Sequence, residues 1–231
     1  MTLSTPGLVL HTTPYAESSV VAKVFTRQLG VRSYMVKGVR GNRGRVKQNM
    51  LQPLSSLDMV VYANPKTDLN HVKELSPRHP GQASDPVANA LRFFMTEVLY
   101  KTLREEEPMP ELWDYVERQS AADSMRPAAS QPIEFLLTVA RHLGIEPLDN
   151  FSRREPLFDL QEGRFVSAPA ETTLPLALSE ALHKYLSDGE SHEFPLRTRR
   201  ELLDALIAYF QLHLSGFGHF HSHEILHTIL K

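Results

Sequence analysis

The sequence predicts an α+β protein, in which a small five-stranded barrel is followed by a mainly helical region with one short β-hairpin. The first third of the chain consists of short segments rich in Val, Tyr, Phe and Thr, divided by Pro, Gly or Asn. The later two thirds repeat apolar residues at helical spacing. With 231 residues, 42% of them apolar and 23% charged, the chain is long enough for two modest domains.

Five segments predict the strands of the barrel, and closure would remove exposed sheet edges. They are residues 7–13, 18–26, 31–38, 57–63 and 70–76. In the second segment Val21, Lys23 and Phe25 share one face, which is therefore partly basic, and Phe25 is expected inside the barrel. Leu29 and Gly30 predict the turn into the third strand.

A change of composition at Ser76–Pro86, which has three prolines, a glycine and two serines, predicts the domain boundary. We therefore expect one domain over residues 1–80 and a second over 81–231. Asp85 followed by Pro86 indicates a helix start, since an N-cap acceptor precedes a proline at the first helical position. That helix is expected to run to about Glu106.

The second domain is predicted to be mainly helical. Apolar spacing indicates helices over residues 110–125, 132–144, 175–187, 198–215 and 222–230. Between the second and third of these, a turn at Glu162 and Gly163 separates two β-like runs and predicts a hairpin. Trp113 lies in an apolar stripe and is expected in the core.

The net charge of −2 hides a basic N-terminal region, because residues 1–57 hold eight Lys or Arg and a single acid, Glu17. Within it, residues 37–47 read KGVRGNRGRVK, with three glycines and no acid. Such cations can pair with successive phosphates, so the segment is a candidate nucleic-acid contact, with a solvated loop as the alternative. A P-loop is excluded, because no Gly-Lys-Ser/Thr precedes a helix. The candidate DNA-binding residues are Arg32, Lys37, Arg40, Arg43, Arg45 and Lys47.

Three aromatic residues, Tyr15, Phe25 and Tyr34, lie in the same region and are candidates for base stacking. Phe25 is the weakest of them if it lies inside the barrel. Tyr34 lies between Ser33 and Met35 on the third predicted strand, and this alternation does not decide whether its side chain points into the barrel or outward.

Motifs for catalysis or cofactor binding are missing, so we predict a non-enzyme with neither cofactor nor metal. Five histidines cluster near the end, at 213, 219, 221, 223 and 227. Three alternate as in a metal-binding strand, but Ser222 resembles a helix N-cap that ends the alternation, so surface histidines are expected. The acidic run Glu105–Glu107 is expected to be a solvated helix end, with partner binding as the alternative.

A cytoplasmic location is expected, because the chain has no cysteine, no charged start of a secretory signal and no apolar run near the ~20 residues of a membrane helix.

In sequence order, several segments resemble the RecO family of DNA repair proteins, the recombination mediators. These segments are TPYAESSVVAKVFTRQLGVRSYMVKGVR, LQPLSSLDMVVY, EVLYKTLREEEP, FLLTVARHLGIEP, FDLQEGRF and FQLHLSGFG. The resemblance implies an N-terminal OB-fold and a helical domain. It also implies binding to single- and double-stranded DNA, annealing of complementary strands, and action on the nucleoid.

The implied partners are RecR and the C-terminal tail of single-stranded DNA-binding protein, on whose complexes with DNA such proteins load recombinase. The family's Lys-Gly-x-Arg segment falls on Lys37, Gly38 and Arg40. Many members carry a four-cysteine zinc knuckle where this chain has the hairpin, which implies a metal-free variant held by packing. Arg197, Arg199 and Arg200 are candidates for the tail pocket.

Two main functions therefore stay open. The first is a DNA-binding and annealing mediator, and the second is a protein-interaction adaptor whose acidic helical domain carries the activity. A metalloenzyme built on the C-terminal histidines is a third and weaker alternative.

Overall fold

The computed structural model describes residues 2–39, 48–62, 67–79, 85–121, 130–187 and 194–229. The chain divides into two compact units, residues 1–126 and 127–231. The boundary expected at residue 80 lies inside the first unit, because two helices after the barrel make contacts with it that are described below. The assignment of a DNA-binding domain to residues 1–80 stays a prediction.

Five strands of the first unit form a closed barrel in the order β1-β2-β3-β5-β4. They are β1 (Thr2–Tyr15), β2 (Ser19–Thr26), β3 (Gly30–Lys37), β4 (Ser56–Tyr62) and β5 (Leu69–Pro77). Neighbours pair antiparallel except β3 and β5, which pair parallel over three residues. This strand order is that of the OB-fold, so the predicted fold is confirmed.

The interior of the barrel is lined by the face of β2 that carries Val20, Ala22 and Val24, which pack with apolar residues of the other strands. The prediction that Phe25 lies in this interior is wrong. Side chains alternate along a strand, so Phe25 is on the outer face, where it is nevertheless fully buried. Its carbonyl oxygen accepts a hydrogen bond of 2.9 Å from the indole N–H of Trp113.

Two helices complete the first unit, α1 (Pro86–Thr102) and α2 (Pro110–Ser120). The Asp85 carboxylate accepts hydrogen bonds from the backbone N–H groups of Val87 and Ala88, as the cap prediction requires. The first helix ends four residues earlier than expected, because Leu103 adopts an extended backbone that turns the following acidic run toward the barrel. Trp113 in α2 is buried, which confirms its predicted core position.

The second unit is mainly helical with one small hairpin, as the sequence predicts. Its elements are α3 (Gln131–His142), β6 (Leu157–Asp159), β7 (Arg164–Val166), α4 (Leu176–Ser187), α5 (Leu196–His213) and α6 (Ser222–Ile229). None of the helices described for either unit is long and apolar enough to cross a membrane.

Packing and one partly buried amide hold the hairpin in place. Phe158 and Phe165, on its two strands, are fully buried and meet edge to face, with ring centres 5.1 Å apart. The Asn150 side chain accepts from the backbone N–H of Phe165 at 2.8 Å and donates to its carbonyl at 3.0 Å. Across the described ranges there is no group of three metal-ligating side chains.

The β2–β3 turn lies tightly against the acidic run. Gly30 has a positive φ of 66°, and a Cβ at this position would lie 2.4 Å from the carbonyl oxygen of Glu107. The backbone N–H of Glu106 donates to the carbonyl of Val31 at 3.0 Å. Glycine is thus required at residue 30 both for its conformation and for the close approach of the neighbouring chain.

Gly30→Ala is expected to destabilise the first unit by about 2–4 kcal/mol. Alanine would be strained in the left-handed backbone conformation of this residue, and its Cβ would collide with the main chain of Glu107. Urea unfolding followed by Trp113 fluorescence measures this, because the chain has a single tryptophan. Gly38→Ala is the matched control. Gly38 has a φ of 73° with open space around it, so only the strain of about 1 kcal/mol is expected. Equal losses in the two variants would contradict the close contact at Gly30.

Candidate nucleic-acid interface

Lys37 is the described end of the basic segment. It is exposed at the last residue of β3 and borders an open cleft of about 510 Å³ on the barrel surface. Among the described residues it has no carboxylate partner. The cleft also carries Lys73, Asp58 and Glu74, so both charge signs are present. Arg40, Arg43, Arg45 and Lys47 lie outside the described residues, and their role stays a prediction.

Arg32 lies at the other end of the same strand. Five residues separate it from Lys37, which corresponds to about 17 Å along a strand. The Arg32 side chain is only 12% exposed and lies 3.6 Å from the Glu106 carboxylate, and its Nε donates to the carbonyl of Leu29 at 3.4 Å. The structure therefore separates the two described DNA-binding candidates rather than joining them in one patch.

Three cations near the β2–β3 turn are paired with acids of the helical segment. Lys23 contacts Glu105 at 2.8 Å, Arg32 contacts Glu106, and Arg27 binds Asp114 through two hydrogen bonds of 2.7 and 2.9 Å. The acidic run is exposed, as predicted for a solvated segment, with 57% of the Glu105 side chain and 49% of the Glu106 side chain accessible. It follows the end of α1, and its ion pairs also hold it against the basic end of the barrel.

These ion pairs belong to a first unit that is less basic than its N-terminal region alone. Residues 1–57 carry a net +7, whereas the whole first unit carries only +3, with 16 basic and 13 acidic residues. Three of the added acids, Glu105, Asp114 and Glu106, pair with Lys23, Arg27 and Arg32. Lys37 keeps an unpaired charge among the described residues.

Of the three aromatic candidates, only Tyr15 is available for stacking. Phe25 is buried, and Tyr34 is fully buried in the barrel core, where burial raises its pKa to about 12. Tyr15 is 55% exposed. It pairs with Ser19, which pairs with Lys37, so Tyr15 and Lys37 lie two strands apart, or about 10 Å, at one end of the barrel.

The second unit contains an apolar groove with a basic end. It is lined by Pro132, Ile133, Leu196, Arg199, Arg200, Leu203, Leu226 and His227. Arg199 has a buried Nε without a hydrogen-bond partner, and an Arg200 nitrogen donates to the carbonyl of His227. Arg197 is not in the groove, because it points outward and pairs with Glu201 at 2.7 Å.

Sequence reasoning found the arginines of this groove but missed its apolar walls, which come from α3, α5 and α6. Pro132 and Leu226 are far apart in the sequence. The apolar spacing of their helices indicates that one face of each helix is buried, but it does not indicate which other helix that face packs against. His227 is the one member of the histidine cluster in the wall. Burial lowers its pKa, so the ring is neutral at pH 7 and the arginines carry the charge of the groove.

Comparison with known proteins points in one direction. The family model described as "Recombination protein O N terminal" matches residues 1–80. A DNA repair protein RecO of Porphyromonas gingivalis (strain ATCC 33277) is 30% identical over 245 residues, which cover 99% of each chain. The RecO proteins of Phocaeicola vulgatus and Christiangramia forsetii are 28% and 26% identical over 100% and 99% of each chain.

Asp114→Asn is expected to lower the stability of the first unit at pH 7 but not in acid. The hydrogen bond from Arg27 lowers the pKa of Asp114 below its ordinary 3.8. A depressed carboxyl pKa contributes stability that is present above 3.8 and is lost as the pH falls through the lower value of the folded state. Urea midpoints from Trp113 fluorescence, at pH 7 and about pH 2.5, measure the difference between variant and wild type. A difference that persists in acid would contradict this account.

Proposed function

Since the chain belongs to the RecO family, we propose that it is a non-catalytic DNA repair and recombination mediator that binds DNA and anneals complementary strands. The observation that carries this proposal is the OB-fold barrel whose exposed end, with Tyr15 and Lys37, leads directly into the basic sequence 40–47. OB-folds bind single strands by combining a cationic path for the backbone with aromatic platforms for the bases. Glycines at 38, 41 and 44 allow the backbone to approach a ligand closely.

In this proposal the DNA follows the Lys37 end of the barrel, and the contacts are to phosphates rather than to base edges. Such contacts position DNA without reading its sequence. Arg40, Arg43, Arg45 and Lys47 supply the grip. Arg32 is the weakest of the six candidates, because its guanidinium is held by Glu106 and Leu29 at the opposite end of β3.

We also propose that the groove of the second unit takes the C-terminal tail of single-stranded DNA-binding protein. An apolar groove with Arg199 and Arg200 at its side suits a peptide that ends in an apolar residue and a carboxylate. RecR is the second proposed partner. Tail binding places the protein on coated DNA, where recombinase loading takes place.

An annealing assay tests the proposed function. Two complementary strands, one of them labelled with a fluorescence donor and the other with an acceptor, are mixed naked or coated with the cognate single-strand binder. The protein is expected to accelerate pairing in both cases. Binding without acceleration on coated strands would contradict a mediator role.

Replacing Arg40, Arg43, Arg45 and Lys47 by Ala is expected to weaken single-strand binding and its dependence on salt. About five phosphate contacts give a log-log slope near −3.5, and the loss of four flattens it by about 2.8. Fluorescence anisotropy of a labelled oligonucleotide over a range of NaCl measures the slope.

The matched control removes four cations that are already paired. Lys101, Arg141, Arg164 and Arg197 each have a carboxylate within 4 Å, so their replacement by Ala makes the same change in net charge with little change in slope. An unchanged slope in the loop variant would overturn the assignment of the loop.

Arg199→Ala is expected to weaken binding of a peptide of the last ten residues of the single-strand binder by about tenfold, the effect of losing one charge-assisted contact. Arg197→Ala is the control, since Arg197 is exposed outside the groove. Calorimetric titration gives both affinities. Equal affinities of the two variants for the peptide would place the tail elsewhere.

The adaptor remains the second candidate, and the neutralised cations of the barrel favour it. Lys23, Arg27 and Arg32 are engaged by acids of their own unit, which reduces the surface left for DNA. The two functions differ on coated strands. An adaptor loses activity in Arg199→Ala and keeps it in the loop variant, whereas an annealing mediator loses activity in both.

A further inference from the structure

A tight turn in the second unit presents two adjacent arginines. The backbone N–H of Glu155 donates to the carbonyl of Ser152 at 3.1 Å, and the N–H of Ser152 donates to the carbonyl of Glu155 at 3.3 Å. These two bonds close a two-residue tip formed by Arg153 and Arg154, both of which are exposed. The Ser152 hydroxyl oxygen lies 3.1 Å from the Glu155 N–H as a further acceptor.

The base of this turn is fixed to the buried hairpin. Asn150, which bridges both backbone groups of Phe165, also donates to the Glu155 carboxylate at 3.0 Å. Phe151 stacks on the His183 ring, with centres 4.3 Å apart and planes 14° apart. The tip is therefore held in one conformation, so the backbone has little conformational freedom left to lose when a ligand binds.

The two arginines are unusual within their unit. Residues 127–231 hold 9 basic and 14 acidic residues, a net −5. Arg141, Arg164 and Arg197 each pair with a carboxylate, whereas the described residues offer Arg153 and Arg154 no ion pair, hydrogen bond or ring contact. The carboxylates on either side are occupied, since Asp149 contacts His183 at 2.7 Å and Glu155 accepts from Asn150.

From this geometry we propose that the Arg153–Arg154 turn is a second contact for the phosphate backbone of DNA. The two arginines are exposed at successive positions of the turn, which fits an extended polyanion along which successive phosphates meet successive guanidinium groups. Each guanidinium presents five N–H donors in a planar fork that suits phosphate oxygens. Packing of Phe151 on His183 and the hydrogen bonds of Asn150 supply the rigidity of the turn.

The proposal rests on the proposed DNA-binding function and adds a site outside the barrel. It is tested in the full chain with Arg153→Ala/Arg154→Ala, against Arg141→Ala/Arg197→Ala, which removes the same charge from paired arginines. Anisotropy of a labelled 30-nucleotide oligo(dT) is measured over a range of NaCl. The turn variant is expected to flatten the log-log slope by about 1.4, at about 0.7 for each single-strand phosphate, while the control keeps the wild-type slope.

A photo-crosslinker gives a second readout that does not depend on summed affinity. Because the chain has no cysteine, Arg154→Cys creates a unique attachment point, and Arg141→Cys is its matched control. Cross-linking to the oligonucleotide at residue 154, several-fold above that at residue 141, supports the proposal. Equal yields together with an unchanged slope overturn it.

The outcomes separate this inference from the proposed function. If the loop variant loses salt dependence and the turn variant does not, DNA binding stands and the second contact is wrong. If the wild type binds no oligonucleotide, both fail. A turn variant that keeps DNA affinity but loses the tail peptide would show that the arginines serve a protein partner, which also overturns the proposal.

Discussion

The attachment of the helical segment 103–120 to the outside of the barrel is the constraint on which the first unit depends. Its anchor is Trp113, whose buried indole donates to the carbonyl of Phe25 at 2.9 Å. That carbonyl belongs to β2, so the bond fixes α2 to the strand that also carries Lys23 and leads to Arg27. Removal of the ring would leave a large cavity and a buried acceptor without its donor, two losses that reinforce one another.

The anchored position of α2 determines which cations of the barrel the acidic side chains can reach. Asp114 lies one residue after Trp113 and meets Arg27, one residue beyond the end of β2. The segment before α2 returns along the β2–β3 turn, where Gly30 permits the contact with Glu107. The anchored position of α2 therefore decides which cations of the barrel are paired with acids, and Lys37 is not among them.

Under the proposed function, such a division suits a protein that binds DNA exchangeably. A barrel with every cation exposed would bind polyanions along its whole surface, whereas here Lys23, Arg27 and Arg32 are paired with acids. Lys37, which lies two strands from Tyr15, has no carboxylate partner among the described residues. Phosphate contacts weaken with salt, so a short cationic path gives an exchangeable complex. In the proposed function, the groove of the second unit, with its neutral His227 and charged Arg199, would add a separate means of attachment through a protein tail.

The sequence by itself determined the elements. Alternation in β2, the Asp85-Pro86 helix start, the turn at Gly163 and the burial of Trp113 follow from local patterns, because side-chain period and turn chemistry act within a few residues. Only the tertiary structure decided which face of β2 is inside, as both faces are largely apolar and Phe25 is covered by contacts distant in sequence. It alone paired Glu105 with Lys23 and Glu106 with Arg32. Charge partners and groove walls are set by how elements pack, and no local pattern encodes a contact between residues 80 positions apart.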